Sequence, residues 1–509
     1  MNRTMIKKRI RFSLYTIALL SVFVLSCEDF DEDREGFTPP KPVLEFPEGA
    51  SFSTQRDSVA SIVIRYNVLS EITSLTASQS GTDLRTIPLE GLNSVEDTLT
   101  FNYTVPTEAA FGSLPIEFTV TDQDGRQQTE TFVVDVIRGL REFSAETIAT
   151  EVTLSADSIY RFASSVTIAE GGTLNIPPGS LILAAVDTAN PVTIITEGGR
   201  LVAEGTAEAP IIFTSANTLT QTAAPGDWGG FILRGDEDDP SYSPFSLRYV
   251  RVEYAGGGEE ESALFIREVS STPMEYVQTY FSGNYGFYVR EGTFAFKHCI
   301  STSDASTGFY LRTAAGNAQF LIIDSEVDHG DRDLHIRDGE PVTISNATFI
   351  GNGRDEGEDL DGARIRDDAG PFRFYNGIVA EYPDDGIRLQ RYEEGQDIIA
   401  HTFIFQIGGM QDDGIGTEDP DVEEGPSPLR GAGLIFYNQR EQFNNQIDID
   451  STLVSGIDSD SYVPDEIPTV SFDPSTLGEF FDTAPYAGAI GDTNWTAGWS
   501  LNADGEINE

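Results

Sequence analysis

The chain has 509 residues, with 83 Asp and Glu against 32 Lys and Arg, and a formal net charge of −51. A surface this acidic repels nucleic acid and anionic lipid, so neither is expected as a partner, apart from any covalent membrane anchor. Two Cys and four His exclude a disulfide framework and a His/Cys zinc site.

Residues 1–26 read as an export signal. Arg3, Lys7, Lys8, Arg9 and Arg11 precede a short apolar run that ends Val24-Leu25-Ser26-Cys27. The run is shorter than the roughly 20 residues that a helix needs to cross a bilayer. Residues 27–42 are acidic and then Pro-rich (Glu28-Asp29-Phe30-Asp31-Glu32-Asp33, then Pro39-Pro40-Lys41-Pro42), a solvated tether with a stiff end. The only lysines are Lys7, Lys8, Lys41 and Lys297, a surface habit of salt-adapted proteins.

Residues 43–138 alternate with period 2. Ile62, Ile64, Tyr66 and Val68 share one strand face, as do Leu99, Phe101, Tyr103 and Val105, then Ile116, Phe118 and Val120, then Phe132, Val134 and Val136. About seven short strands separated by turns predict an immunoglobulin-like β-sandwich that acts as a spacer.

From 143 to 455 the pattern becomes a repeat. Gly230-Phe-Ile-Leu-Arg234, Ala263-Leu-Phe-Ile-Arg267, Gly286-Phe-Tyr-Val-Arg290, Gly308-Phe-Tyr-Leu-Arg312, Asp333-Leu-His-Ile-Arg337 and Gly362-Ala-Arg-Ile-Arg366 are one motif, with steps of 22 to 33 residues between the arginines. A second motif interleaves, with Tyr249, Tyr276, Phe296, Phe320, Ile344 and Phe374 in equivalent places. A repeat of this length built from short period-2 strands predicts an all-β, right-handed parallel β-helix rather than a propeller, whose blades are longer. Residues 411–428 read as an exposed acidic loop, and 456–509 as an extended capping segment.

Alternation divides the repeated strand into inward and outward positions. Phe287, Val289, Phe309, Leu311, Leu334 and Ile336 point in. Two columns point out: Ile232, Phe265, Tyr288, Tyr310, His335, Arg364 and Arg388; and Arg234, Arg267, Arg290, Arg312, Arg337, Arg366 and Gln390. Coils about 4.8 Å apart would place six arginines in one stripe. Such a stripe needs counter-charges. They could come from the chain itself: Asp304, Asp331, Asp333, Asp359, Asp361, Asp384 and Asp385 before the strands, or Glu291, Asp338 and Asp367 after them. They could also come from a ligand. Arginine forks suit carboxylate and sulfate, and Tyr288, Tyr310 and Phe265 beside them suit sugar faces, so an acidic polysaccharide is the candidate partner. The candidate ligand-binding residues are Arg267, Tyr288, Arg290, Tyr310, Arg312, His335, Arg337, Arg364 and Arg366. A third reading makes His335 with Arg337, Arg364 and Arg366, or Lys297-His298, the centre of a polysaccharide lyase. No catalytic residue is assigned.

No organic cofactor is expected. Calcium is the one ion the acids suggest, chiefly at Asp355, Asp359 and Asp361, with Asp458 and Asp460 or the Asn502–Asn508 segment (similar to a dockerin calcium loop) as weaker places. Cys299 is expected to be buried as a small hydrophobe.

Several phrases resemble one group. The Ser26-Cys27 break resembles a bacterial lipobox in which Cys27 is lipidated, and the acids after it resemble the tether of surface-exported lipoproteins of Bacteroidota. Ile168–Gly179, Gly199–Thr206, Pro225-Gly226-Asp227-Trp228-Gly229-Gly230, Val252-Glu253-Tyr254-Ala255-Gly256, Tyr486-Ala487-Gly488-Ala489-Ile490 and Trp495-Thr496-Ala497-Gly498-Trp499 resemble largely uncharacterised β-helix lipoproteins of that phylum. The resemblance implies an outer-membrane location, lipid-anchored and facing outward, and association with a TonB-dependent import complex. It implies no catalytic residues. The paired Asp that this group often carries before the inward Phe is replaced here by Asn284-Tyr285 and Ser306-Thr307. The expected role is glycan capture for import, with a passive structural or adhesive surface protein as the alternative.

Overall fold

A computed structural model describes residues 40–509 except 237, 240, 271–272, 326–331, 354–359, 391–394, 408–414, 418–441, 449–453 and 458–461. The export segment, Cys27 and the tether to residue 39, Asp331, Asp355, Asp359, Asp458, Asp460 and the 411–414 and 418–428 parts of the acidic loop lie outside the described residues. The chain divides into two units, Met1–Ile137 and Arg138–Glu509.

In the first unit, apolar alternation builds a β-sandwich. A three-stranded antiparallel sheet pairs Val59–Asn67 with Val43–Glu45 and Glu96–Thr104. A five-stranded sheet runs in the order Ser51–Thr54, Gln127–Val136, Gly112–Asp122, Ile72–Gln79, Thr82–Thr86. Ile62, Ile64, Phe118, Val120 and Val134 from the two sheets meet in one core. Every second residue is thereby removed from water, and the residues between them stay solvated.

The second unit is a parallel β-helix of about nine turns. Its inward column runs Phe231, Leu264, Phe287, Phe309, Leu334, Ala363 and Ile387, in register from coil to coil. Phe287 and Phe309 stack at 4.3 Å with ring planes 3° apart, and both are buried. Parallel register repeats each side chain one strand spacing away, so like rings stack on like rings.

The corners have their own repeat. Tyr249, Tyr276, His298, Phe320, Asn346, Asn376 and His401 all have φ between 48° and 60°. Bulky side chains seldom take this left-handed conformation. Here it turns the chain between two strands of the same coil, and the rings stack: Tyr249 on Tyr276 at 4.3 Å, Tyr276 on His298 at 4.4 Å, His298 on Phe320 at 4.7 Å. The second sequence motif is therefore corrected. Tyr249, Tyr276 and Phe320 share their column with His298, whereas Phe296, Ile344 and Phe374 align with Met274 and Ala318 in the core. Two aromatics two residues apart, Phe296 and His298, made the slip.

Residues from Tyr462 to the C-terminus contain little regular structure and lie along the flank of the coils. Side chains of the coils grip their backbone. Asn346 Nδ2 donates to Tyr486 O at 2.7 Å, and Gln319 exchanges two bonds with Asp482, at 2.8 and 3.1 Å. Gln278 does the same with Leu501, at 2.7 and 2.8 Å, and Arg251 Nη1 donates to Trp499 O at 2.9 Å. Ala487, Ala489, Ile490 and Trp499 cover an outward apolar patch of Ile300, Ile322, Ile350 and Ile378.

Candidate functional site

The two outward columns stand in register as their alternation predicts. Arg234, Arg267, Arg290, Arg312 and Arg337 are successive partners, and Arg366 N donates to Ile336 O in the next coil. The ring column runs Ile232, Phe265, Tyr288, Tyr310, His335, Arg364 and Arg388.

Most of the arginine stripe is neutralised internally. Arg234 pairs with Glu197 at 2.9 Å, Arg267 with Glu268 at 2.6 Å and Glu291 at 3.0 Å, and Arg312 with Asp338 at 2.7 Å. Arg290 lies 3.6 Å from Glu291, and Arg337 lies 3.4 Å from Asp338 and 3.9 Å from Asp368. Glu268, Glu291 and Asp338 follow their arginines directly and adopt φ of 57°, 60° and 63°. That turn swings each carboxylate back along the stripe. Hydrogen bonds to the Asp338 carboxylate and then to the Tyr288 phenol hold the Arg312 guanidinium ionised beyond its ordinary range.

Two of the acids expected before the strands, Asp304 and Asp333, behave differently, whereas Asp361, Asp384 and Asp385 do meet arginines, Arg364 and Arg388 of the ring column. Asp304 is buried and accepts from Ser282 N, Thr279 and Ser301, each at 2.7 Å, not from an arginine. Asp333 is buried against Ser325 and Tyr382. Asp304 lies three residues before its strand and Asp333 is the second residue of the strand Arg332–Arg337, and both carboxyls end among buried hydroxyls rather than at the stripe. Glu268 and Asp368, absent from the sequence expectation, supply counter-charge instead.

The rings are not open platforms. Tyr288, Tyr310 and His335 are each 7% exposed. Tyr288 stacks on Tyr310 at 4.6 Å, Tyr310 on His335 at 4.7 Å and 7°, and Phe265 meets Tyr288 edge-on at 5.1 Å. Their faces are filled by one another, so the edges and hydroxyls, rather than the ring faces, are what this column presents. Register caused this: rings one strand spacing apart are close to stacking distance already.

At the C-terminal end of the column the charges change. His335 feels Arg332, Arg366, Arg337 and Arg364. Burial first, then these four cations, push its imidazole down to about 3, so it is neutral near pH 7. Arg366 has no carboxylate partner among the described residues.

One coil further on, Asp361, Asp384 and Asp385 bring carboxylate oxygens within 4.8 Å of one another, a cluster able to hold a cation such as calcium. Arg364 Nε reaches Asp361 at 2.5 Å, and Arg388 lies 3.1 Å from Asp384 and 3.7 Å from Asp361. Burial pushes Asp361 up to about 6 against the pull of Arg364 and Arg388. Of the chief calcium candidates Asp355, Asp359 and Asp361, only Asp361 is described, and its partners in the cluster come from the next turn. In the Asn502–Asn508 segment, Asn502 Oδ1 instead accepts from Glu506 N at 2.8 Å, closing a hairpin. His298 packs in the corner stack, remote in register from His335, and Lys297 pairs with Asp482 at 2.8 Å. The two residues do not assemble a second centre. Cys299 is fully buried and burial drives its thiol up.

Two expectations follow. Replacing both Arg312 and Arg337 with Gln should lower the melting temperature, because Asp338 loses both neutralising partners. Each pair is about one-third exposed, so its loss should cost only about 0.2–1 kcal/mol. A melt unchanged or raised would mean that repulsion within the stripe outweighs the pairing.

The second concerns pH. His298 and His335 are pushed down to about 3, so their contribution is full above the ordinary 6.5 and is lost as pH falls toward 3. Asp304 at about 6 and Asp333 at about 7 are raised by burial, so theirs is full below 3.8 and is lost as pH rises through those values. Asp333→Asn cannot ionise. From about pH 5 to about pH 8 its melting temperature should fall less than that of the wild type. Equal slopes would remove Asp333 from the account.

Residues 146–239 match the family described as pectate-lyase like beta helix domain. The match covers early coils and stops before the His335 region; it supports a β-solenoid scaffold. No curated protein and no solved structure matches the chain.

Proposed function

We propose that this chain is a lipid-anchored surface protein whose β-helix captures an acidic polysaccharide as an accessory to an outer-membrane import system. One observation carries the reading. In a chain of net charge −51, Arg332, Arg337, Arg364 and Arg366 gather around a neutral His335, and Arg366 has no acidic partner among the described residues. Local cationic charge against a repelling surface gives selectivity, since a polyanion gains only where that charge is exposed to it. The similarity of residues 146–239 to a pectate-lyase like domain is consistent with a carbohydrate ligand. The adjoining Asp361, Asp384 and Asp385 cluster would let calcium bridge protein and sugar carboxylates.

The test is retention on immobilised polygalacturonate and alginate against neutral dextran. Retention on the acidic matrices should fail at about 1 M salt, where the screening length is about 3 Å. No retention on either would remove the reading. A passive structural or adhesive role is then favoured by the internal pairing of Arg234, Arg267 and Arg312. Release of unsaturated uronates, read by ultraviolet absorbance, would turn the capture protein into a lyase.

Membrane attachment is proposed to run through Cys27 alone. A palmitate analogue should label the wild type and not Cys27→Ala, and equal labelling would discard the anchor.

A further inference from the structure

The buried side-chain nitrogens of this region without a hydrogen-bond partner among the described residues include His335 Nε2, Arg337 Nε and Arg366 Nε. Buried donors in folded proteins are almost always satisfied, so each such group calls for an acceptor. These three are neighbours. His335 and Arg337 lie two positions apart on the outward side of one strand, a span of about 7 Å. Arg366 lies in the next coil, at the position beside Arg337, about 4.8 Å away.

Two of the three are held by neighbours, and the third, Arg366, is left without a counter-charge among the described residues. The His335 ring is clamped on Tyr310 at 4.7 Å. Arg337 is drawn toward Asp338, at 3.4 Å, yet makes no hydrogen bond there through Nε. Arg366 is half-buried and carries a charge that no described carboxylate meets. Arg364, the register partner of His335, is already engaged by Asp361 and is left out of the donor set. The remaining groups offer N–H bonds and positive charge, with no acceptor among them apart from the imidazole itself. Their complement is an oxygen-bearing anion rather than a hydroxyl, which would bring a proton of its own.

We propose that His335, Arg337 and Arg366 form a subsite for a single anionic oxygen group, the carboxylate of a uronic acid or the sulfate of a sulfated sugar. It rests on the glycan reading only for the sugar that carries the group. Planar guanidinium edges accept either anion, and the neutral imidazole adds a bond without adding charge repulsion.

The experiment is calorimetric titration of the full chain with sodium galacturonate and, separately, sodium sulfate, at constant ionic strength. Saturable binding of at least one is expected. Arg366→Gln and His335→Phe should each weaken it by roughly tenfold or more, the loss of one hydrogen bond to a charged group. His335→Phe keeps the stacked ring and so separates loss of the donor from loss of packing. Arg234→Gln, whose guanidinium pairs with Glu197 at the far end of the stripe, should bind as the wild type does. Galacturonate without sulfate identifies the carboxylate as the preferred group, and the reverse identifies sulfate. Absence of saturable binding, or binding undiminished in both Arg366→Gln and His335→Phe, overturns the subsite. Retention of polygalacturonate without these effects would leave the glycan reading standing and the subsite refuted. Sulfate binding without any polysaccharide retention would do the opposite.

Discussion

Trp499→Ala should destabilise the β-helix unit by about 3–5 kcal/mol, the cost of deleting a large buried aromatic and leaving its cavity. Trp499 is fully buried. Its ring meets Tyr249 edge-on at 5.6 Å and Tyr276 at 6.2 Å, so it closes the corner stack from outside. Its Nε1 donates to Trp495 O at 2.8 Å, and its own carbonyl accepts from Arg251 Nη1 at 2.9 Å. Arg251 is buried beside Glu253, with Nε to Oε1 at 2.9 Å. A flank that loosens at Trp499 therefore also disturbs a buried ion pair, whose disruption is costlier than that of an exposed one. Thermal melting should show the loss, and limited proteolysis should cut the 462–509 flank first. Trp499→Phe, which keeps a ring, should recover much of it. If Trp499→Ala melts with the wild type, the flank contributes nothing to the stability of the coils.

Phe309→Ala should cost a similar amount, about 3–5 kcal/mol, by a different route. Phe309 sits inside the coils, 1% exposed, stacked on Phe287 at 4.3 Å and in register with Leu334. In a solenoid each coil is supported by its neighbours alone, so a cavity in one weakens both adjoining interfaces. Amide hydrogen exchange should rise in the strands Tyr285–Thr302 and Arg332–Arg337 before it rises near Ile168 and Leu174. Uniform exchange along the unit would show that the coils unfold as one body and that nearest-neighbour coupling does not localise the damage. Leu311→Ala, two residues on and also inward, gives a comparison at about 2–5 kcal/mol.

The repeat was legible because parallel register makes it so. A motif such as Gly308-Phe-Tyr-Leu-Arg312 copies inside and outside positions from one coil to the next, so spacing and alternation alone give the β-helix, its inward column and the arginine stripe. The sandwich was legible for the same reason, through alternate apolar residues such as Ile62 and Ile64. Corners broke the pattern. A left-handed residue such as His298 shifts the chain without changing residue count, and the second motif was misaligned there.

Where charges pair was decided only in three dimensions. In the sequence Asp304 and Asp333 lie within a few residues before the repeated strands' arginines, and Glu268 and Asp338 directly after them, so all four are candidates to pair. The fold sends the first two to buried hydroxyls, and a left-handed backbone swings Glu268 and Asp338 back along the stripe. Tyr288 and Tyr310 were readable as an outward column, but not as rings whose faces fill one another. That follows from the short distance between coils, which alternation does not reveal. The Trp495 and Trp499 phrases stood out in the sequence, yet nothing in their spacing told that Arg251 and Gln278, more than two hundred residues earlier, hold their backbone. Local alternation fixes which way a side chain faces; what it meets there depends on packing between distant segments.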